Sequence, residues 1–139
     1  ANAAIVATPH DGEFKKLTDQ TLPHDAPARM LAARSFARSM HVTLVCKGSH
    51  TIVGHPDGSA YQEQRGNPGL ATAGAGDVLA GVIGGLLAQG VSVKDAAELG
   101  VHLHAVAGDL AAVAKTEPGV VASDIIDALP QALRGESVK

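Results

Sequence analysis

Gly66-Asn67-Pro68-Gly69-Leu70-Ala71-Thr72-Ala73-Gly74-Ala75-Gly76-Asp77, running into the apolar stretch Val78 to Ala88, is the segment that decides the fold. A turn-rich approach ends in alternating small residues and one acid, after which polarity disappears. That order describes an anion-binding loop feeding a buried helix. Gly74 and Gly76 let the main chain come within hydrogen-bonding distance of a ligand, and the first N–H groups of a helix lack intrahelical partners and carry partial positive charge. Phosphate is the natural occupant. A P-loop is excluded, because Gly69 to Gly74 has the right gap but is followed by Ala75-Gly76 instead of Lys-Ser or Lys-Thr. A dinucleotide fingerprint is excluded too, since Leu79 stands where its third glycine would fall. Asp77 then has two readings, an N-cap for the helix and a base held beside a bound phosphate, and the two are compatible.

The rest of the chain narrows the setting. With 139 residues it is long enough for one domain, or part of one, but not for two. Eleven basic against fourteen acidic residues leave a net charge of -3, and no Lys/Arg block offers a face to nucleic acid or to an anionic membrane. Arg29, Arg34 and Arg38 read as the solvated face of a helix. The single cysteine, Cys46, cannot form an internal disulfide and lies in an apolar run, so an inert thiol and a reducing cytoplasm are expected. The Val78 to Ala88 run is shorter than the roughly 20 residues that a bilayer requires, and Gly81, Gly84 and Gly85 interrupt it. It reads as a core helix. A strand within the first few positions leads straight into a polar loop, so the chain is expected to begin in the middle of a fold.

Ala4 to Ala7 is a strand candidate, and the proline and glycine of Thr8-Pro9-His10-Asp11-Gly12-Glu13 predict a loop after it. Pro27 to Met40 has a helical pattern, Val42 to Cys46 is a buried strand, and Thr51 to Val53 with Ala60 to Gln62 suggest a hairpin at the sheet edge. Leu99, Leu103, Val106, Leu110 and Val113 form one stripe on a long helix from Val93 to Lys115. Ser123 is expected to cap a last helix that starts at Asp124 and falters near Pro130. Elements in this order imply an α/β layered fold with a mainly parallel sheet, whose ligands gather at the carboxyl ends of the strands. The loops at Thr8 to Glu13 and Lys47 to Thr51 both follow strands and should meet the glycine loop there.

Several chemistries can be weighed on these residues. Thr8 to Glu13 packs an imidazole and two carboxylates into one turn, and Lys47-Gly48 offers either a cation and bare backbone to a nucleotide phosphate or an ordinary exposed turn. His102 and His104, two apart on a helix, point to nearly opposite faces, and no His-Glu-x-x-His pattern occurs, so a zinc site is not expected. A hydrogen-bonded, partly buried His104 is the simpler account. No Gly-x-Ser-x-Gly elbow is present for a hydrolase.

Thr72-x-Gly74-Ala75-Gly76-Asp77 is similar to the second signature of ribokinase-like kinases, and Thr8-Pro9-His10-Asp11-Gly12-Glu13 resembles their Thr-Pro-Asn-x-x-Glu segment with histidine for asparagine. Sugar and vitamin kinases of that group usually have an acid before the threonine, where this chain has Ala71. The run from Asn67 through Asp77 to Gly81, joined with Thr8-Pro9-His10-x-Gly12-Glu13-Phe14, Lys47-Gly48 and Leu103-His104-x-x-Ala107-Gly108-Asp109, resembles the ADP-dependent NAD(P)H-hydrate dehydratases. Asp11 stands where that family usually has proline.

The resemblance implies a ribokinase-like layered fold with a mainly parallel central sheet flanked by helices, of which residues 1–139 would be the carboxyl-terminal half of a single domain, lacking the amino-terminal part. It implies cofactor repair: the hydroxyl of hydrated NADH or NADPH, in its S epimer, is phosphorylated from ADP, and elimination of phosphate restores the reduced cofactor and leaves AMP. His10 and Asp77 would contact the hydrate, with Asp77 catalytic. Lys47, Gly48, Ser49, His50, Thr51 and Gly76 would line the nucleotide, and Gly74, Ala75 and Gly76 would form the anion hole. Glu13 would orient water on Mg2+. A cytoplasmic homo-oligomer, a tetramer, and an NAD(P)H-hydrate epimerase as fused or separate partner are further expectations. Two alternatives remain open on the residues: a ribokinase-like kinase for a small vitamin precursor, and a non-catalytic nucleotide-binding fragment.

Overall fold

Val42 to Cys46 is apolar at nearly every position, as a strand covered on both faces must be. In the computed structural model, which describes residues 3–138, its core is strand β2 (Thr43–Cys46), buried throughout. β2 pairs in parallel with β1 (Val6–Ala7), and the crossover between them holds α1 (Asp11–Thr18) and α2 (Ala26–Met40). On its other side β2 pairs antiparallel with β3 (Ile52–Gly54), which pairs antiparallel with β4 (Ala60–Gln62), giving the order β1-β2-β3-β4. The expected hairpin is present. Among the described residues the parallel character of the sheet is confined to β1 and β2, and β1 has one neighbour only.

Strand alternation sends side chains to two layers. Leu44, Cys46 and Ile52 meet Phe14, Leu22, Ala33 and Ala37 beneath α1 and α2. Val45 and Val53 meet Leu79, Ile83, Ala97 and Val101, from α3 (Ala75–Ala88) and α4 (Val93–Lys115). Outside that layer α4 packs on α5 (Ala122–Leu133) around Leu103, Val106, Ile125 and Ala128. Close approach depends on missing side chains: a Cβ on Gly54 would stand 2.7 Å from the Ala33 carbonyl oxygen, and one on Gly100 would stand 2.6 Å from Ile83 Cγ1. No helix among the described residues is long and apolar enough to cross a membrane.

Four local expectations are corrected. The loop predicted through Glu13 ends at His10, because the His10 ring accepts from the Glu13 N–H at 3.2 Å while the Glu13 carboxylate accepts from the His10 N–H at 2.9 Å, a reciprocal cap that starts α1 at Asp11. Asp77 is not the N-cap of α3. Gly74 holds that position at φ 86°, a left-handed conformation that glycine adopts freely, and Asp77 falls in the first turn. α5 starts at Ala122, with Asp124 accepting from the Val121 N–H at 2.9 Å, and continues past Pro130 because Ala128 and Ala132 are buried on either side of the proline. The five-residue stripe on α4 is only partly inside: Leu99 and Val113 are 41% and 71% exposed, whereas Ala97, Gly100, Ala107 and Gly108 are buried. Small residues carry that interface, since they bring α3 and the glycine loop close.

Candidate active site

The turn after β1, the turn after β2 and the glycine loop before α3 do meet, around one cavity of about 700 Å³. His10, Lys47, Gly48, Ser49, His50, Thr51 and Gly76 all line it, and Leu79, Val101 and Ala105 supply apolar wall. That volume and mixed lining suit a nucleotide-sized ligand. The Lys47 N–H donates to the Pro9 carbonyl at 3.0 Å, which ties the two polar turns together. The Lys47 side chain then crosses to the glycine loop, where a Cβ on Gly76 would stand only 2.8 Å from Nζ. Glu13 Oε2 lies 4.0 Å from the same ammonium. The hydrogen bond from the His10 backbone, helped by Lys47, holds the Glu13 carboxyl below its ordinary pKa.

The loop itself is a short 3-10 turn, Pro68–Ala71, followed by Thr72 to Gly74. The Ala75 N–H turns back to the Thr72 carbonyl at 3.2 Å. Its expected share in an anion hole is therefore not available in this geometry. The N–H groups of Gly74, Gly76 and Asp77 have no partner among the described residues, and the helix dipole adds to their positive field. Asp77 is exposed beside the cavity rather than within its lining, and its carboxylate makes no hydrogen bond among the described residues. Successive helical residues differ by about 100° in direction, so Gly76 and Asp77 serve neighbouring regions of one surface.

Helix α4 holds the loop at both ends. Asp109 accepts from Asn67 Nδ2 at 2.9 Å and from the Gly66 N–H at 3.3 Å, while Asn67 Oδ1 accepts from the Gly69 N–H at 2.8 Å. At the far end His104 Nε2 donates to the Ala75 carbonyl at 2.9 Å. Burial, with a smaller contribution from Lys47, lowers the His104 pKa and keeps the ring neutral. His102 instead meets Glu63 Oε2 at 3.0 Å, so the two histidines do serve different partners. Glu63, 3% exposed on the cavity wall, also accepts from the Tyr61 hydroxyl at 2.6 Å.

The family model described as NAD(P)H-hydrate dehydratase matches residues 1–131. The chain belongs to the NAD(P)H-hydrate dehydratase family. The bifunctional NAD(P)H-hydrate repair enzyme Nnr of Moorella thermoacetica is 43% identical over 130 residues, which are 94% of this chain and 24% of that protein. The ADP-dependent (S)-NAD(P)H-hydrate dehydratase of Neisseria meningitidis is 41% identical over 130 residues, 94% of this chain and 43% of that protein. The crystal structure of the ADP/ATP-dependent NAD(P)H-hydrate dehydratase from Bacillus subtilis, co-crystallized with ATP/Mg2+, superposes with a TM-score of 0.88 at 30% identity, covering 95% of this chain and 48% of that one. The chain thus spans less than half the length of these dehydratase-family relatives, and its fold is that of the ribokinase-like dehydratase structures.

Two features of this dehydratase-family chain escape a reading by motif. Arg29 was expected on a solvated helix face with Arg34 and Arg38, yet it is 8% exposed. Its guanidinium reaches across to Asp11 and to the Lys47 carbonyl, a long-range pairing that no local spacing announces. Asp109 does stand in the Leu103-to-Asp109 motif, but its partners, Gly66 and Asn67, lie more than 40 residues away and nothing in that motif names them. Cys46 is buried as expected, and burial pushes its thiol pKa up to about 11. Among the described residues no group of three or more His, Cys, Asp or Glu side chains could hold a metal ion directly.

Proposed function

We propose that the protein carrying this chain dehydrates the S epimer of hydrated NADH and NADPH with ADP as phosphoryl donor, releasing AMP and phosphate. Residues 1–139 are read as the carboxyl-terminal half of one ribokinase-like dehydratase domain. The observation that carries the proposal is the Lys47 ammonium poised over Gly76 at the open amides of α3, in one cavity with His10. A cation and unpaired amides converge there on the place where phosphate charge would sit.

In this reading Lys47, Gly48, Ser49, His50, Thr51 and Gly76 hold ADP, and His10 with Asp77 faces the hydrate. His10 Nδ1 accepts from the Glu13 N–H, which leaves Nε2, 3.4 Å from Glu13 Oε1, as the ring nitrogen that would turn its donor to the substrate. Asp77 takes the hydroxyl proton as the β-phosphoryl group moves from ADP to that oxygen and AMP leaves. The ring C–O bond of the new phosphate ester then breaks, phosphate departs with the bonding pair, and the neighbouring ring carbon passes its proton to the departing phosphate, which restores the reduced nicotinamide. The Gly74, Gly76 and Asp77 amides stabilise charge on the phosphoryl oxygens.

Mg2+ suits the site only in company with the nucleotide. Glu13 is a single half-exposed carboxylate already bonded to the His10 N–H, so phosphate oxygens and water would supply most ligands of the ion and Glu13 would orient one of those waters. When bound, the ion would offset phosphate charge. A cytoplasmic homotetramer, with an NAD(P)H-hydrate epimerase fused to it or as a separate partner, completes the proposal; a relative named as a bifunctional NAD(P)H-hydrate repair enzyme supports the fused form. The test is recovery of reduced-nicotinamide absorbance when the full-length protein meets hydrated NADH or NADPH with ADP and Mg2+. No recovery with ADP or ATP removes the dehydratase reading, and a stable phosphorylated product would point to the kinase alternative.

A further inference from the structure

A buried arginine outside the hydrophobic clusters requires an explanation, because desolvating a guanidinium is costly unless its donors are matched. Arg29 lies between two loops that the proposed function treats separately. Its Nη2 donates to Asp11 Oδ1 at 2.6 Å and to the Lys47 carbonyl at 3.1 Å; its Nη1 donates to Asp11 Oδ2 at 3.3 Å and to the Pro23 carbonyl at 3.4 Å. All four terminal N–H bonds are therefore committed, and the planar fork has one orientation. The side chain is 9% exposed against 44% for Asp11.

The consequence falls on Lys47. Its N–H is fixed to the Pro9 carbonyl at 3.0 Å and its own carbonyl is fixed to Arg29, so the peptide units on both sides of its Cα are clamped. The guanidinium also underlies the next residue, since a Cβ on Gly48 would stand 3.1 Å from Arg29 Nη2. Asp11 opens α1 immediately after His10. The Asp11 and Arg29 pair thus joins the turn bearing His10 to the loop bearing Lys47; neither lines the 700 Å³ cavity, and both line a smaller neighbouring cleft of about 150 Å³ with Gly48, Ser49 and His50.

We infer that Arg29, locked by Asp11, is a positioning residue for nucleotide binding: it sets the Lys47 ammonium over Gly76 and the Gly48 backbone against the ligand's phosphates. This rests on the reading of Lys47 to Thr51 as the nucleotide loop. A lysine at position 29 keeps the charge but cannot reproduce four donors in a plane, so the role is specific to arginine. Misplacement of a phosphate-binding group by about 1 Å is enough to weaken binding and turnover.

The test uses the full-length protein and its Arg29→Lys, Arg29→Met and Asp11→Asn variants, with calorimetric titration of ADP and Mg2+, KM for ADP, kcat and thermal unfolding on each. Folded Arg29→Lys and Arg29→Met should bind ADP about tenfold more weakly or worse, the effect of losing a charge-assisted contact. Asp11→Asn should weaken ADP binding by roughly twofold to fivefold, because Arg29 keeps its carbonyl acceptors, and its effect should vanish when combined with Arg29→Met. Unchanged ADP affinity in a folded Arg29→Lys protein, with only a lower unfolding temperature, overturns the inference and leaves the nucleotide reading intact. If neither Arg29 variant folds, unchanged ADP affinity in Asp11→Asn overturns it. Failure of the unaltered protein to bind ADP at all would remove the nucleotide reading, and the inference with it.

Discussion

Gly76→Ala separates what the fold needs from what the ligand needs. The added methyl would sit 2.8 Å from Lys47 Nζ, where ordinary van der Waals contact begins at 3.4 Å, so the ammonium must withdraw by about 0.6 Å. Little else must move, because Nζ is the end of a flexible chain and the lysine side chain is 25% exposed. Alanine in a helix is favoured over glycine by up to about 1 kcal/mol, so stability should hold or rise slightly. Binding should move the other way. A charge-assisted hydrogen bond is worth about 1.5 to 3 kcal/mol, so displacing Lys47 from the phosphate should weaken ADP by roughly tenfold to a hundredfold. Calorimetric titration with ADP and Mg2+, alongside thermal unfolding of the same full-length samples, reads both signs. ADP affinity within about twofold of the unaltered protein would refute the premise that Lys47 must sit over Gly76 to hold the phosphate. A markedly lower unfolding temperature would show instead that position 76 needs glycine for its backbone.

Asp77→Asn keeps the residue's volume but cannot accept a proton, so kcat should fall by about a hundredfold or more while ADP affinity stays nearly constant; a loss below about tenfold would demote Asp77 to a helix-start residue. Burial lowers the pKa of both His104 and His55 below the ordinary value of 6.5. Their unfolded forms take up protons first on acidification, so stability is complete above about pH 6.5 and declines below it, at up to about 1.4 kcal/mol per pH unit for each histidine. Thermal unfolding scanned from about pH 7.5 to 5.5 tests this, and a flat profile would contradict it; His55→Gln should reduce the slope. The 139-residue chain made alone should self-associate and dehydrate no substrate, since among the described residues β1 has an open side, Ile5 is 55% exposed and Gly81, Gly84 and Gly85 face open space. Sedimentation and the cofactor-recovery assay check this, and an active monomer would refute it.

Much of the architecture was legible because apolar periodicity reports burial directly. The strand at Val42 to Cys46, the hairpin, and the helices at Pro27 to Met40 and Val93 to Lys115 all occur within a few residues of their predicted bounds. The convergence of the three loops was legible from strand ends alone. The missed boundaries share one cause, which is that a cap depends on side-chain geometry. His10 is an unusual cap residue, and Pro9 and Gly12 hide the helix that it starts. Gly74, and not Asp77, opens α3 because the turn there requires a positive φ. Arg29 and Asp109 could not be assigned from spacing, since their partners lie 18 and more than 40 residues away in the chain.

Tyr61 has an optical consequence. It is the chain's single tyrosine, there is no tryptophan, and its hydroxyl is tied to Glu63 on the cavity wall. Near-ultraviolet absorption and emission from this chain therefore originate largely at one point beside the site. Desolvation, with the hydrogen-bonded Glu63 carboxylate, raises the phenol pKa, so alkaline ionisation of this ring should be delayed until the cavity wall gives way. A ligand that shifts Glu63 would alter that signal without any attached dye.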